Sequence, residues 1–525
     1  MSLTGEGAGT AAGSGDQEQG SLREQATRGG VYLMIRELIG MVIRLLGMVV
    51  VMRELGPANF GLYAAGTAYV TVGVVIAQMG IEIYLIRLPR EPTKREYNEA
   101  FTHLLISSLL VTVLAELLTL ALGGLVKPTG TLAPLRVMLL SIPLNVLWAP
   151  GQAYIERNLL YRRMGMLELS GDLVLYGVSI PLACCGLGAW ALVAALFAWQ
   201  AWLLIGSIVI SGLRYRLAYS RSGTGAMLRH GLGCSTYSVI DTLQQLLLPV
   251  IVGGLCGATG VGYVSFAQRL INVLAFAKRS LTRICVVVIA RARSKSTREL
   301  GEAITDGTLM MVVATAIPFA AFGVVARLVV PVVFGRVWMA GLPVYVALAT
   351  FTVLSTFGSC RYAMFFAFGE NRKAVIGNLI QLVAMVALAY PLVRRYGPVG
   401  LGYATLASLV ALVYTELTSR RQAPLSYRRL ALPALGLIPA VAAPALHFPL
   451  ALLPLAGCGL VVILPFTRAE LTGLANTILP GLRWRANKPA PPAKTVPHPT
   501  AITDTAWAAL PPGDWVISRQ HSSTA

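Results

Sequence analysis

The sequence predicts an all-α polytopic membrane protein with about fourteen transmembrane helices. Only 13% of its 525 residues are charged, whereas a soluble domain is about 25% charged. The mean hydropathy is +0.68. Apolar runs recur along almost the whole chain, and each is long enough for the roughly 20 helical residues that cross a ~30 Å hydrocarbon core.

The apolar runs divide into two groups on either side of a basic segment. The first six predicted spans are 30–52, 60–86, 100–126, 132–155, 169–187 and 189–212. The other eight are 232–256, 260–290, 303–330, 341–368, 374–393, 399–418, 430–448 and 449–467. The fifth and sixth spans meet near Gly186–Gly188 and the last two near His447–Pro449, so twelve spans remain an alternative.

These spans predict a chain of six parts. They are a disordered cytoplasmic tail at 1–29, an N-lobe at 30–212, a basic cytoplasmic loop at 213–231, a C-lobe at 232–420, two further helices within 421–468, and a Pro-rich cytoplasmic tail at 469–525. The first tail lacks an apolar signal-peptide core, so we expect the first helix to direct membrane insertion.

The positions of the basic residues predict the orientation. The formal net charge is +20, and most lysines and arginines fall between spans on the side of the N-terminus. The predicted outer loops hold only Arg53, Lys127, Arg336, Arg394 and Arg395. By the positive-inside rule both termini are cytoplasmic. This distribution accounts for most of the charge without a nucleic-acid partner.

The seven cysteines do not have the spacing of a disulfide framework or a zinc site. They are Cys184, Cys185, Cys234, Cys256, Cys285, Cys360 and Cys458. We expect free, buried thiols and neither a metal nor a cofactor.

An internal repeat links the two groups of spans. The outer turn after the first helix reads Gly-Pro-Ala-Asn-Phe-Gly-Leu-Tyr at 56–63, and the turn after the seventh reads Gly-Ala-Thr-Gly-Val-Gly-Tyr at 257–263. Weak symmetry of two halves is typical of transporters that bind substrate where the halves meet.

The pattern Arg-x-Leu-Gly-Pro-x-x-Phe-Gly-x-Tyr at 53–63 resembles the opening motif of the polysaccharide flippases. These flippases belong to the multidrug/oligosaccharidyl-lipid/polysaccharide (MOP) exporter superfamily. Further similar segments lie at 262–270, 334–338, 367–372 and 396–402. The resemblance implies two six-helix lobes around a central cavity in a bacterial inner membrane. It also implies translocation of a polyprenyl-pyrophosphate-linked oligosaccharide for surface polysaccharide or exopolysaccharide synthesis.

Arginines within two predicted spans are the candidate substrate ligands. The first span carries Arg36, Arg44 and Arg53, about 12 and 14 Å apart along a helix. The eighth carries a largely polar stripe at i+3/i+4 spacing, formed by Ser265, Arg269, Asn272, Phe276, Arg279 and Arg283. Arginine in hydrocarbon costs roughly 2.5–17 kcal/mol, so it usually faces a wet cavity or a partner.

We expect these arginines, joined by Arg361 of the tenth span, to bind the pyrophosphate, because a guanidinium binds phosphate oxygens bidentately. The alternative is that terminal arginines reach the headgroups while inner ones pair with acids such as Glu37, Glu82 or Asp241. Lys278 is expected to snorkel. For Arg36 the alternative to the pyrophosphate is a pair with Glu37 or an anionic lipid.

Asp241 lies mid-span beside Gln244 and Gln245. Its carboxylate either bridges to a cavity arginine or binds a coupling ion, Na⁺ or H⁺. Ser265, Asn272 and the two glutamines would supply the polar lining of the cavity.

Enzymatic activity is not expected, since no nucleotide-binding, metalloprotease or serine-hydrolase motif is present. One alternative function is export of small cationic drugs on the same fold, which would need an acid-lined cavity. Another is a membrane scaffold for a polysaccharide synthesis complex. The predicted partners are the lipid-linked oligosaccharide, membrane lipids and polysaccharide polymerase or export proteins.

Overall fold

A computed structural model describes residues 11–88, 90–123, 132–220, 246–275, 296–420 and 422–425, with scattered residues from 225 to 289. Side chains are described from Ile39 onward. All regular elements in these parts of the chain are helical. The helices of the first half are α1 (Ala11–Gln78), α2 (Ile81–Arg87), α3 (Lys94–Gly123), α4 (Leu132–Leu139), α5 (Ile142–Leu147), α6 (Ala149–Arg157), α7 (Tyr161–Cys184) and α8 (Ala189–Ser211). Those of the second half are α9 (Gly253–Leu274), α10 (Thr297–Val333), α11 (Leu342–Ala367), α12 (Asn371–Tyr396), α13 (Val399–Ala407) and α14 (Val410–Ser419).

Helix α1 breaks where the sequence predicts the outer turn. Gly56 has φ 69° and ψ 175°, a conformation open to glycine, and Pro57 follows it. The helix begins at Ala11, so the prediction of a disordered tail is wrong over 11–29. The run at 17–25 is rich in Gln, Glu, Leu and Arg, which are good helix formers and favour this helix despite Gly20 and Ser21.

Ten helical stretches of the described chain are long and apolar enough to cross a membrane. The first, Ile39–Gln78, contains two predicted spans joined at the Gly56 break, and Leu248–Leu274 likewise runs through a break at Gly257. The predicted junction near Gly186–Gly188 is confirmed, because α7 ends at Cys184 and α8 begins at Ala189. The spans predicted at 430–448 and 449–467 lie outside the described residues.

Large apolar side chains on α3 face outward. Exposed residues include Leu110, Val113, Leu114, Leu117 and Leu118. An apolar surface of this kind suits contact with lipid. The fold class of an all-α polytopic membrane protein is therefore confirmed.

The chain forms two compact units. The first contains residues 1–54, 77–122 and 136–233, and the second contains 55–76, 123–135 and 234–525. These limits differ from the predicted lobes within the first half, since 55–76 belongs to the second unit. The reason is the close crossing of the two glycine turns described below.

In the first unit, small residues allow the helices to pack closely. A side chain added at Gly206 of α8 would overlap Leu167 of α7, and one at Gly151 of α6 would overlap Ser207. The guanidinium of Arg157, at the end of α6, donates to the carbonyls of Leu85, Ile86 and Arg90 at 3.2, 3.0 and 2.6 Å. Arg157 therefore satisfies carbonyl groups at the end of α2 that have no partner within the helix.

In the second unit, Trp338 is a centre of aromatic packing. It is 1% exposed and its ring contacts Phe60, Tyr263 and Phe266, with centroid separations of 5.9, 6.4 and 4.9 Å. Three of the segments on which the family resemblance rests, at 53–63, 262–270 and 334–338, thus converge in one core.

The prediction of free thiols is confirmed where it can be checked, whereas the prediction of buried thiols is wrong for Cys184 and Cys185. Cys184, Cys185, Cys256, Cys285 and Cys360 are free. Cys285 and Cys360 are buried, whereas Cys184 and Cys185 are exposed. Cys234 and Cys458 lie outside the described residues.

Candidate functional site

Arg44 forms an ion pair inside the first unit. Its Nη1 lies 2.8 Å from Oδ2 of Asp172 on α7. The Arg44 side chain is 41% exposed and that of Asp172 is 12% exposed. The partner acid, Asp172, is not one of the acids considered from the sequence, which were Glu37, Glu82 and Asp241. The guanidinium is held by protein on one side and remains accessible from outside the protein.

The contact between α1 and α7 is fixed one turn further along each helix. The hydroxyl of Tyr176 donates to the carbonyl oxygen of Arg44 at 3.1 Å. Gly47 permits this approach, because a Cβ there would lie 2.3 Å from the Tyr176 ring. The adjacent backbone of α7 is confined by α8, since a side chain at Gly171 would press on Trp199.

The two repeated glycine turns cross each other in the second unit. Gly257 has φ 67° and ψ −171°, close to the values at Gly56. A Cβ at Gly61 would lie 1.8 Å from the carbonyl oxygen of Ala258, and one at Gly262 would lie 2.0 Å from that of Pro57. The contact is reciprocal between equivalent positions of the two turns, so the internal repeat is a structural one.

Arg269 lies on α9 beyond this crossing. Its guanidinium carbon is 5.0 Å from the centroid of the Phe60 ring, which is the geometry of a cation–π contact. Phe60 is itself held by Trp338. Arg269 is about 18 Å along the helix axis from Gly257, which places it within a span. Its side chain is half-buried.

Arg361 of α11 is buried between two helices of the second unit. Its side chain is 2% exposed and forms an ion pair with Glu416 of α14. Its Nη1 also lies 2.7 Å from the Ser419 hydroxyl. The expected role of Arg361 in lining a cavity is therefore not supported, and the residue joins two helices of the second unit.

Lys278 does not snorkel, so that prediction is wrong. Its Nζ lies 2.9 Å from the Ser355 hydroxyl and 3.4 Å from the Thr352 carbonyl oxygen. Both partners belong to α11, which supplies polar groups within reach of the ammonium group. The amine is directed toward a neighbouring helix rather than along its own helix to a membrane surface.

The other predicted site residues have different surroundings. Arg53 is exposed on α1, Asn272 is exposed on α9, and Gln244 is half-buried. Ser265 is 5% exposed, and its hydroxyl has no hydrogen-bond partner among the described residues. Arg36 lies on α1, but its side chain falls outside the described ones. Asp241, Gln245, Arg279 and Arg283 also lie outside the described residues.

The residues that sequence reasoning missed are the partners of the arginines. Asp172, Tyr176 and Phe60 belong to this group. Asp172 carries a usable signal, because a carboxylate inside an apolar helix calls for a partner as an arginine does. The signal at Phe60 is weaker, and consists of an aromatic residue directly before Gly61 of the repeated turn.

Comparison with known proteins identifies the family. The family described as "Polysaccharide biosynthesis protein" matches residues 50–343. The chain belongs to this family. The matched range includes the glycine crossing, Asp172 and Arg269, whereas Arg44 and Arg361 lie outside it.

One curated relative is the succinoglycan biosynthesis transport protein ExoT of Rhizobium meliloti (strain 1021). It is 23% identical over 224 residues, which cover 42% of this chain and 44% of the relative. The match therefore spans less than half of that relative's length.

Two solved structures share the fold. The lipid II flippase MurJ in an inward closed conformation has a TM-score of 0.63 at 11% identity, covering 86% of this chain and all of that one. An inward-facing multidrug resistance MATE family transporter of the MOP superfamily has a TM-score of 0.57 at 18% identity, covering 76% and 98%. This member of the polysaccharide biosynthesis protein family thus has the MOP superfamily fold.

Proposed function

We propose that the protein is a flippase for a polyprenyl-pyrophosphate-linked oligosaccharide. It would move the repeat unit from the cytoplasmic to the outer leaflet of a bacterial inner membrane by alternating access, with both termini in the cytoplasm. The product would feed synthesis of an exopolysaccharide or another surface polysaccharide. The family, the name of the curated relative and the shared fold all support this proposal.

The observation that carries the proposal is the accessible guanidinium of Arg44 in a membrane span. It is held by Asp172 and is 41% exposed. A pyrophosphate suits such a group, because phosphate oxygens accept two parallel N–H bonds from arginine and the arginine stays charged at physiological pH. Arg269 of the second unit offers a second half-buried guanidinium for the same chemistry.

Three acidic groups of the described spans are less suited to attract a cationic drug. Glu116 pairs with Arg136 at 3.0 Å, Asp172 pairs with Arg44, and Glu416 pairs with Arg361. A cavity for small cations would present unpaired carboxylates. We therefore favour the anionic lipid substrate over the drug-export function.

The proposed energy source is an ion gradient or substrate supply. The coupling ion would be Na⁺ or H⁺, with Asp241 as the candidate group. Membrane lipids and polysaccharide polymerase or export proteins are proposed partners.

The test is flipping of a pyrophosphate-linked lipid oligosaccharide in proteoliposomes. We expect activity in the wild type and loss of at least tenfold in Arg44→Ala and Arg269→Ala. Arg298→Ala is the matched control, because Arg298 forms an exposed pair with Glu302 at 3.2 Å. Transport of small cations in place of the lipid-linked sugar would overturn the proposal.

A further inference from the structure

The Arg44–Asp172 pair joins a fixed carboxylate to an accessible guanidinium. Asp172 is 12% exposed and lies beside Gly171, where α7 is confined by Trp199 of α8. Arg44 is 41% exposed and has a long flexible side chain. Of the two partners, the guanidinium is therefore the one that can turn toward a ligand while the carboxylate stays in place.

The backbone of Arg44 is held independently of its charge. The Tyr176 hydroxyl donates to the Arg44 carbonyl oxygen at 3.1 Å, and the Tyr176 ring fits against Gly47. The helix contact can thus persist when the guanidinium changes partner. This separates the role of the ion pair from the role of the packing around it.

A carboxylate and a pyrophosphate make the same kind of bond to arginine, a charge-assisted hydrogen bond to an anionic oxygen. They therefore compete for the guanidinium. Without a ligand, a carboxylate partner removes much of the cost of an arginine in the membrane. With a ligand, the same carboxylate weakens binding and favours release.

We propose that Asp172 is an exchangeable counter-ion of Arg44, which the substrate pyrophosphate displaces on binding and which recaptures the guanidinium on release. Asp172 is thus a positioning residue that sets the affinity of the site for the head group. This inference rests on the proposed function, since it assumes a pyrophosphate ligand at Arg44.

The experiment measures binding of farnesyl pyrophosphate, a soluble polyprenyl pyrophosphate, to the full-length protein in detergent, with farnesol as the ligand control. Asp172→Asn removes the competing charge and keeps the shape. We expect its affinity to rise roughly three- to tenfold, the size expected for loss of a modest ion-pair competitor. Flipping of the lipid-linked sugar should slow, because release becomes harder.

Two variants distinguish exchange from a structural role. Asp172→Glu restores the negative charge and should return the affinity toward that of the wild type. In an Arg44→Ala background, Asp172→Asn should no longer raise the affinity. Glu302→Gln, in an exposed pair, is the matched control and should leave binding unchanged.

The outcomes separate this inference from the proposed function. If wild-type protein binds farnesyl pyrophosphate but Asp172→Asn binds it equally or more weakly, the counter-ion role is overturned and the flippase proposal stands. If Asp172→Asn only lowers the melting temperature, Asp172 is structural. If the wild type binds neither farnesyl pyrophosphate nor the lipid-linked sugar, the proposed function itself fails.

Discussion

Two arginines in membrane spans, Arg44 and Arg361, both pair with a carboxylate, yet their surroundings differ. Arg44 of the first unit is 41% exposed beside Asp172. Arg361 of the second unit is 2% exposed beside Glu416, with a further bond to Ser419. The same pairing therefore occurs once with an accessible guanidinium and once with a sealed one.

The difference shows that an arginine in a membrane helix is not by itself evidence of a binding site. The buried guanidinium of Arg361 pairs with a carboxylate inside the protein and joins α11 to α14. The accessible guanidinium of Arg44 also pairs with a carboxylate, but it can still bind a second anion. The exposed fraction of the side chain, rather than its position within the predicted span, distinguishes the structural arginine from the candidate ligand.

Removing the sealed arginine should have the largest effect on stability. Arg361→Ala would leave the Glu416 carboxylate without its ion-pair partner, and breaking a buried pair costs about 3–5 kcal/mol. We expect poor expression or a strongly lowered melting temperature in detergent, measured by thermal denaturation. Replacing both partners, Arg361→Met with Glu416→Met, should recover most of the loss, because the apolar pair leaves no buried charge. An Arg361→Ala protein as stable as the wild type would contradict the structural role.

The fold could be predicted from the sequence because hydropathy and glycine positions report directly on membrane helices and turns. The Gly56 and Gly257 breaks lie where the repeated motif places them, and both glycines have positive φ. The crossing of Gly61 and Gly262 could not be predicted, because periodicity describes one helix and not which faces of two helices meet.

The same limit explains the outcomes at the candidate site. Arg44 finds its partner on α7, far away in the sequence, and Lys278 finds Ser355 on α11. Tertiary packing determines these partners. The sequence could therefore predict only that a charged residue in a membrane span needs a partner, and not which residue it is. Arg361 carries the same sequence signal as Arg44, and only packing separates the two.

Removing the accessible arginine should affect transport more than stability. Arg44→Ala removes the ion-pair partner of Asp172, which we expect to cost about 1–3 kcal/mol, less than at Arg361. Transport in proteoliposomes should fall at least tenfold while most of the protein remains folded. Arg44→Lys keeps the charge but loses the planar fork of donors, so its transport should be intermediate. Equal loss of stability in Arg44→Ala and Arg361→Ala would remove the distinction between the two pairs.

Arg269 differs from Arg44 and Arg361 in that an aromatic ring, that of Phe60, lies against its guanidinium. Phe60→Leu removes the ring and keeps an apolar side chain at the crossing. We expect a coupling free energy of about 0.5–1 kcal/mol between Phe60 and Arg269, from a double-mutant cycle of thermal stability. A cycle with no coupling would show that the ring packs beside the guanidinium without attracting it.

The pair between Glu370, which precedes α12, and Lys373 in the first turn of α12 should show the smallest effect. Glu370 lies 2.8 Å from Lys373 and accepts a hydrogen bond from Gln422 at 3.0 Å. Partial burial opposes ionisation of the Glu370 carboxyl, but the bonds from Lys373 and Gln422 outweigh it and lower its pKa.

A pKa lowered by folding means that the ionised carboxyl stabilises the protein above the ordinary glutamate pKa of about 4.3. That contribution is lost as the pH falls through the lower folded pKa. Glu370→Gln should therefore reduce stability at neutral pH by no more than about 1 kcal/mol. The melting temperatures of wild type and variant, measured across pH, should converge in acid. A difference that persists at low pH would show that the Glu370 carboxylate charge is not the source of the stabilisation.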